Sequence, residues 1–433
     1  MLGLMGGGAL ATLFGVFAAA LVLDVPVASA LGLAAMAAIL AHDIAPLPVV
    51  AQQMVAGLDS FPLLAIPLFV LAGGLMGAAG LTGRIVALAL SLVGRRRGGL
   101  AAVAVVACML FGALSGSGVA DVVAIGSLVM PAMTRAGYPR GFSAGLLGCA
   151  GSLGTIIPPS IVMIVYGVAT GTSIGQLFAA GIVPGVLAGG ALIAVSVLKA
   201  RREGWGGQGE TEGLVVEREG AWVGLLALGA PAIIVGGIRG GIFTATEAGA
   251  VACLYALLVG LFATRALTLK ALWEELRRAA ETSGVILYVI ATASLFGWVL
   301  GAMGAPQAVT AWLLGLTREP MVVLLLAMAL LLVLGTFMET IAVILLLAPI
   351  LSSTLPRYGI DPVHFGLLLA LNLAIGANTP PLGIDLMAAC RVGAIPMRES
   401  FRHLPALLGA MVAVLLALAF APGVVLWLPR AFG

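Results

Sequence analysis

Residues 151–167 read GSLGTIIPPSIVMIVYG and residues 372–390 read NLAIGANTPPLGIDLMAAC, two apolar runs each cut by a proline pair after G-x-x-x. Pro158-Pro159 and Pro380-Pro381 cannot continue a helix. Two successive N–H donors are missing, and each proline pushes the residue before it out of the right-handed helical region. The runs 142–170 and 363–392 are therefore predicted to be discontinuous helices. Within lipid, such a break must line a cavity or lie under protein, because a bare backbone group there costs several kcal/mol.

Another irregular segment precedes each break. The apolar regions 100–133 and 320–355 are interrupted near their centres by Ser115-Gly116-Ser117-Gly118 and by Met338-Glu339-Thr340. Arms of about 16 residues reach ~24 Å at ~1.5 Å per residue, short of a ~30 Å hydrocarbon core. That length suits a re-entrant helical hairpin, and equally an ordinary pair of spans with a short loop. Pro131 pairs with Pro349 and Gly154 with Gly376, at offsets that differ by about one helical turn. A hairpin followed by a broken helix thus occurs twice.

Composition sets the surroundings of this repeat. Of 433 residues, 62% are hydrophobic and 9% charged, with a mean hydropathy of +1.20, where a soluble domain carries ~25% charge. The chain is an integral membrane protein, and a soluble enzyme is excluded. Sixty glycines in apolar sequence suit close helix packing better than the alternation of a β-barrel, so the fold class is all-α. The net charge of +3 is too small and scattered to point to nucleic acid. Cys108, Cys149, Cys253 and Cys390 lie singly in apolar runs and are expected to be buried free thiols. The opening MLGLMGGGALATLFGVFAAALVLDVP lacks a basic n-region, which fits a first span better than a removed signal.

Apolar stretches near 3–23, 26–45, 61–93, 180–198, 221–238, 242–263, 283–301 and 405–428 join the two broken runs to give about ten spanning helices plus two re-entrant hairpins. Alternating these spans puts most of the 21 Lys+Arg on one side and leaves Arg239, Arg318, Arg357 and Arg430 on the other. The positive-inside rule then places both termini outside and the two irregular units in inverted orientation. Residues 1–99 read as scaffold helices, 100–170 as a first transport unit, 171–301 as further scaffold, 302–392 as a second transport unit and 393–433 as a C-terminal helix. Residues 199–220 (KARREGWGGQGETEGLVVEREG) read as a flexible cytoplasmic linker, and 267–281 (LTLKALWEELRRAAE) as an amphipathic helix lying along the interface.

The chemistry of broken helices is ionic. Unwound carbonyls and half-helix C-termini offer oxygen ligands to Na⁺, while half-helix N-termini offer N–H groups to an anion. Ser115, Ser117, Ser152, Thr155 and Ser160 can add polar groups in the first unit, and Thr336, Thr340, Asn372, Asn378 and Thr379 in the second. Four carboxylates fall inside apolar sequence, where charge is expensive. Asp121 suits a structural role, orienting the first tip through backbone N–H groups, and Glu339 the same at the second. Glu247 suits a helix start. Asp385, just past the second break, is the best candidate for cation coupling. Arg391 reads as a snorkelling residue at the membrane edge. An intramembrane serine protease using Ser117 would need a buried histidine base, but His42, His364 and His403 lie near span ends.

The runs SGSGVADVVAIGSLVMPAM (115–133), GSLGTIIPPSIVMIVYG, GGIFTATEAGAVA (240–252) and NLAIGANTPPLGIDLMAAC resemble the large membrane subunit of tripartite ATP-independent periplasmic (TRAP) transporters, over nearly the whole chain. That resemblance implies an elevator-type Na⁺ symporter for organic acids, in the cytoplasmic membrane. It implies as partners a periplasmic substrate-binding protein and a small four-helix membrane subunit, expected as a separate chain. It places Na⁺ at each tip against the facing break. The first set is Ser115, Gly116, Ser117, Gly154, Thr155 and Pro158; the second is Thr336, Met338, Glu339, Thr340, Gly376, Asn378, Thr379 and Asp385. The Met338-Glu339-Thr340 tip departs from Ser-Gly-Ser, so its contribution is expected mainly from backbone carbonyls. Substrate is placed between the tips, at Ser117, Gly118, Pro159, Ser160, Asn378 and Pro381. No cofactor beyond the coupling ion is implied. A proton-coupled carrier of the same architecture and a passive channel remain the alternatives.

Overall fold

Uncharged runs of Ala, Leu, Val and Gly satisfy their backbone only within themselves, and the chain obeys this as a succession of helices. The computed structural model describes residues 2–93, 98–206 and 221–432, with no strand among them. The N-terminal part holds α1 (Leu2–Val22), α2 (Val27–His42), α3 (Pro48–Ala56), α4 (Ala65–Ala78) and α5 (Leu81–Val93). The first hairpin is α6 (Gly99–Ser115) and α7 (Gly118–Arg135), and the first broken helix is α8 (Arg140–Gly151) and α9 (Ile161–Thr170). Then come α10 (Ile174–Glu203), α11 (Ala221–Arg239), α12 (Ala245–Leu258), α13 (Leu269–Ala302) and α14 (Ala305–Leu316). The second hairpin is α15 (Pro320–Gly335) and α16 (Thr340–Thr354), the second broken helix α17 (Pro362–Gly376) and α18 (Ile384–Val392), and the chain closes with α19 (Leu404–Phe420) and α20 (Pro422–Phe432).

Among the described residues six helices are long and apolar enough to cross a membrane, seven if the bent pair α19–α20 is one span, and eight shorter apolar helices run 10–17 residues. The hairpin arms, of 17, 18, 16 and 15 residues, are close to the lengths expected from sequence. All four cysteines are buried free thiols, as expected.

Four expectations need correction. The stretch 267–281 is not a separate interfacial helix: it is the first part of α13, which runs 34 residues without a break. Thr268 caps that helix by accepting Ala271 N–H at 3.2 Å, and no proline lies between the polar turns and the apolar ones, so both belong to one continuous helix of ~51 Å. The stretch 61–93 is not one helix, since Gly80 takes a left-handed φ of 72° and separates α4 from α5. The last span bends by 69° between Phe420 and Pro422, where proline drives Ala421 out of the helical region. Of the linker 199–220, residues through Glu203 belong to α10, which Gly204 ends in a left-handed cap; residues 207–220 lie outside the described residues. Helices α3 and α14 were not anticipated.

The two repeats interlock. α16 of the second hairpin packs on α9 of the first broken helix, and α18 of the second broken helix packs on α7 and α8. Around them α4 packs with α12 and α13, and α13 also touches α16.

Candidate functional site

In the first repeat, α6 ends at Ser115, Gly116 turns back with φ 62°, and Ser117 starts α7 in an extended conformation. Ser115 Oγ donates to the Asp121 carboxylate and accepts Ser117 N–H at 3.1 Å. The partner of Asp121 is thus a hydroxyl, which corrects the expectation of backbone N–H groups. Gly116 C=O accepts Ile161 N–H at 3.4 Å, tying the tip to the far side of the break. A Cβ on Gly116 would lie 2.6 Å from Pro159 O, and one on Gly112 would lie 2.6 Å from Gly154 Cα, so both contacts require glycine. Across the break, Thr155 Oγ1 donates to Ser152 O at 2.7 Å and Ser160 Oγ to Thr155 O at 2.5 Å. Ser160 Oγ also accepts Met163 N–H, capping α9.

The second repeat repeats the backbone. Thr336 C=O accepts Leu382 N–H at 3.3 Å, and a Cβ on Gly376 would lie 2.8 Å from the Gly335 carbonyl carbon. Its side chains differ: Glu339 accepts Ala342 N–H at 3.1 Å to cap α16, Thr336 Oγ1 donates to Val333 O, and Thr379 Oγ1 to Ile375 O. Asn378 Nδ2 donates to Ala374 O at 2.9 Å, and Asp385 N–H reaches Ala377 O at 2.9 Å as α18 resumes after Gly383.

Both tips and both breaks meet at one cavity of about 220 Å³. Of the residues singled out from sequence, Gly116, Ser117, Gly118, Thr155, Glu339, Thr340 and Asp385 line it. The Asp385 carboxylate packs so closely on α7 that a Cβ on Gly118 would lie 2.6 Å from its Oδ2. Ser115, Ser160, Thr336, Met338 and Asn378 are buried behind the wall. Gly154, Pro158, Pro159, Gly376 and Thr379 also stay off it. Pro381 is exposed, because the turn 377–383 carries it outward before α18 returns, and it does not line this cavity. The apolar part of the wall, including Ile161, Ile286, Ile341 and Ile384, was missed. Ile286 comes from α13, and helix packing sets which face of that helix meets the tips; nothing in its own sequence marks it.

Three oxygens in these units are buried with no hydrogen-bond partner: Asp121 Oδ2, Asn372 Oδ1 and Asn378 Oδ1. Unpaired buried oxygens are costly unless something binds them. Other candidates fall away from the cavity. Glu247 forms a reciprocal cap with Thr244, accepting its N–H at 2.7 Å, as a helix-start carboxylate should. Arg391 is exposed at the end of α18. His42 bonds to Thr12 and His364 to Leu418 O, while His403 packs against Phe142 and Trp205.

A vestibule of about 530 Å³ beside α4 and α13 shares Ser117, Ile161 and Ile286 with the tip cavity. A chamber of about 700 Å³ at the start of α4, lined by Phe61, Gly167 and Arg239, shares no lining residue with it.

Comparison with known proteins agrees with this architecture. An isethionate TRAP transporter permease protein of Oleidesulfovibrio alaskensis is 42% identical over 415 residues, 96% of this chain and 65% of that protein's length. The sialic acid TRAP transporter large permease protein of Vibrio cholerae is 41% identical, over 88% of this chain and 89% of the relative. In fold, the crystal structure of the YdaH transporter of Alcanivorax borkumensis aligns with a TM-score of 0.58 at 20% identity, covering 87% of this chain and 89% of that one. The family model described as tripartite ATP-independent periplasmic transporter, DctM component, matches residues 14–424. The chain belongs to that family of membrane permeases.

Proposed function

We propose that this permease drives Na⁺-coupled uptake of an organic acid, delivered by a periplasmic binding protein, through alternating access. The units 100–170 and 302–392 move together as an elevator against the helices of 1–99 and 171–301. A small four-helix membrane subunit completes the assembly, in a ten-span layout with both termini outside the cytoplasmic membrane. The observation that carries this reading is the convergence of both tips and both breaks on one cavity, with a buried, unpaired side-chain oxygen in each repeat. Asp121 Oδ2 and Asn378 Oδ1 fit a hard cation, one in each repeat, with the carbonyls of the unwound segments completing the shell. The anion sits between the tips near Ser117, Gly118 and the start of α16.

The relatives' names point to the substrate class: isethionate and sialic acid are each carried by a similar permease. Dicarboxylates and other sugar acids belong to the same chemical range. Asp385, buried beside Gly118, favours a proton as the alternative coupling ion. Uptake of radiolabelled acids into proteoliposomes holding the permease, its small subunit and the binding protein tests the reading. Accumulation that requires both binding protein and an inward Na⁺ gradient is expected. Accumulation driven by a pH gradient without Na⁺ would replace the coupling ion, and equilibration without any gradient would replace the carrier by a channel.

A further inference from the structure

Two charged residues face the vestibule beside the tip cavity, and both come from the polar turns of α13. Glu275 is fixed. Its side chain is only 15% exposed, and its Oε2 lies 2.6 Å from where a Cβ on Gly74 of α4 would stand. Arg278 is tethered more loosely, donating from Nη1 to Glu275 Oε1 at 2.9 Å with its side chain 65% exposed. One of five guanidinium donors is committed there. From Arg278 to Ile286, where vestibule and tip cavity meet, is two helical turns and a little more, ~12 Å along α13. Because α13 is continuous, this polar segment and Ile286 lie on one helix, which packs on α4 and on α16 of the second hairpin.

We propose that Arg278 is the anion-receiving residue of the vestibule: the acid group of the cargo, carboxylate or sulfonate, on leaving the tips exchanges onto its guanidinium in place of Glu275. This rests on the transport reading above. An anion crossing between apolar walls needs a donor that is charged yet not already satisfied by a strong partner. A partly exposed pair three residues apart on one helix is weak and easily exchanged, while an arginine offers a carboxylate two parallel hydrogen bonds. Glu275, which cannot follow the cargo, retrieves the arginine afterwards and keeps it from becoming a trap. Arg277 provides a contrast one residue away. It pairs with Glu281 at 3.5 Å, both side chains are about two-thirds exposed (69% and 66%), and neither lines the vestibule.

Charge rescue tests the assignment. In the reconstituted complex with small subunit and binding protein, Arg278→Cys is labelled with size-matched thiosulfonates ending in a primary ammonium, which keeps N–H donors, or in sulfonate. The four native thiols are buried, which keeps background labelling low. Uptake is followed with radiolabelled succinate, sialic acid and isethionate in parallel. Arg278→Cys is expected to lower the rate about tenfold, the loss of one charge-assisted hydrogen bond. The ammonium label restores most of it and the anionic label does not, while Arg278→Lys, which keeps the charge but loses the two-pronged contact, falls between wild type and Arg278→Cys. Arg277→Cys with either label transports at the wild-type rate. Wild-type rates in Arg278→Cys, or equal effects of the two labels, overturn the role of Arg278 while leaving the transport reading intact. Failure of the wild-type complex to take up any of the three acids overturns both.

Discussion

In the first repeat a carboxylate crosses the tip: Asp121, fully buried, takes the hydroxyl of Ser115 and keeps one oxygen unpaired. In the second, Glu339 stays on its own helix, capping Ala342 N–H, and the unpaired oxygens belong to the amides Asn372 and Asn378. Beneath this difference the backbones agree. Each hairpin brings a glycine against a glycine of its broken helix, and each tip carbonyl accepts an N–H from beyond the proline pair. The shared backbone is what allows a helix to be broken in an apolar interior; the unpaired side-chain oxygen is a carboxyl oxygen in one repeat and an amide oxygen in the other.

The most severe test strikes the shared part. In Gly376→Ala the new Cβ would meet Gly335 carbonyl C, Cα and O at 2.8–3.0 Å, all backbone atoms that cannot rotate away. We expect a loss of about 3 kcal/mol, the upper end of overpacking costs, read as a lower melting temperature in detergent. Gly154→Ala should follow closely, because its Cβ would run into the Asp121 carboxylate held by Ser115. Gly15→Ala, with nothing within 4 Å, should stay within about 0.5 kcal/mol. Wild-type melting for Gly376→Ala would break the claim that glycine apposition holds the units.

The second test separates the side chains. Asp121→Asn preserves an acceptor for Ser115 and removes the charge, so half-saturating Na⁺ in uptake should rise ten- to a hundredfold, the range of a charge-assisted ligand. Glu339→Gln keeps an oxygen for Ala342 N–H and should change it less than about threefold. Equal shifts would mean that both repeats bind through charge. A milder pair sharpens the same contrast: Ser117→Ala and Asn378→Ala each remove one neutral group, and each should weaken Na⁺-dependent uptake about three- to tenfold without affecting membrane insertion. Unchanged Na⁺ dependence in both would remove them from the site.

The parts legible in sequence were those with a local cause. Proline pairs located both breaks, small polar clusters located both tips, and the register of Gly154 with Gly376 exposed the repeat, because each rests on backbone chemistry that single residues dictate. Glu247 was legible through the Thr-x-x-Glu spacing of its cap. What stayed hidden depends on neighbours distant in sequence. Ser115 and Asp121 lie close in the chain, yet their pairing follows from Gly154 closing over them. Hydropathy cannot tell that α13 runs on without a break from its polar turns, nor that Gly80 divides an apolar run that composition shows as unbroken. Ile286 reaches the cavity only through the packing of α13 on the second hairpin.

The smallest expected effect concerns how each broken helix is anchored at its start. Tyr166 holds α17, donating to Pro362 O at 2.8 Å and packing on Phe365 at 6.4 Å between ring centroids, an anchor that does not titrate near neutrality. The start of α8 is held instead by His403, whose ring lies 5.9 Å from Phe142 and 5.8 Å from Trp205. Burial, followed by the nearby charges of Lys199 and Arg402, lowers the His403 pKa below its ordinary 6.5. The folded state therefore prefers the neutral ring, and below pH 6.5 the unfolded chain binds a proton that the folded one resists. Stability from this group is fully present above pH 6.5 and is lost as pH falls toward the lowered folded value. Partial exposure keeps the effect small, on the order of 1 °C in melting temperature between pH 7.5 and 5.5. His403→Phe should flatten that part of the profile, while Tyr166→Phe should lower the melting temperature equally at both pH values. A wild-type profile unchanged by His403→Phe would show that the two anchors respond alike to acid, and would remove this asymmetry between the repeats.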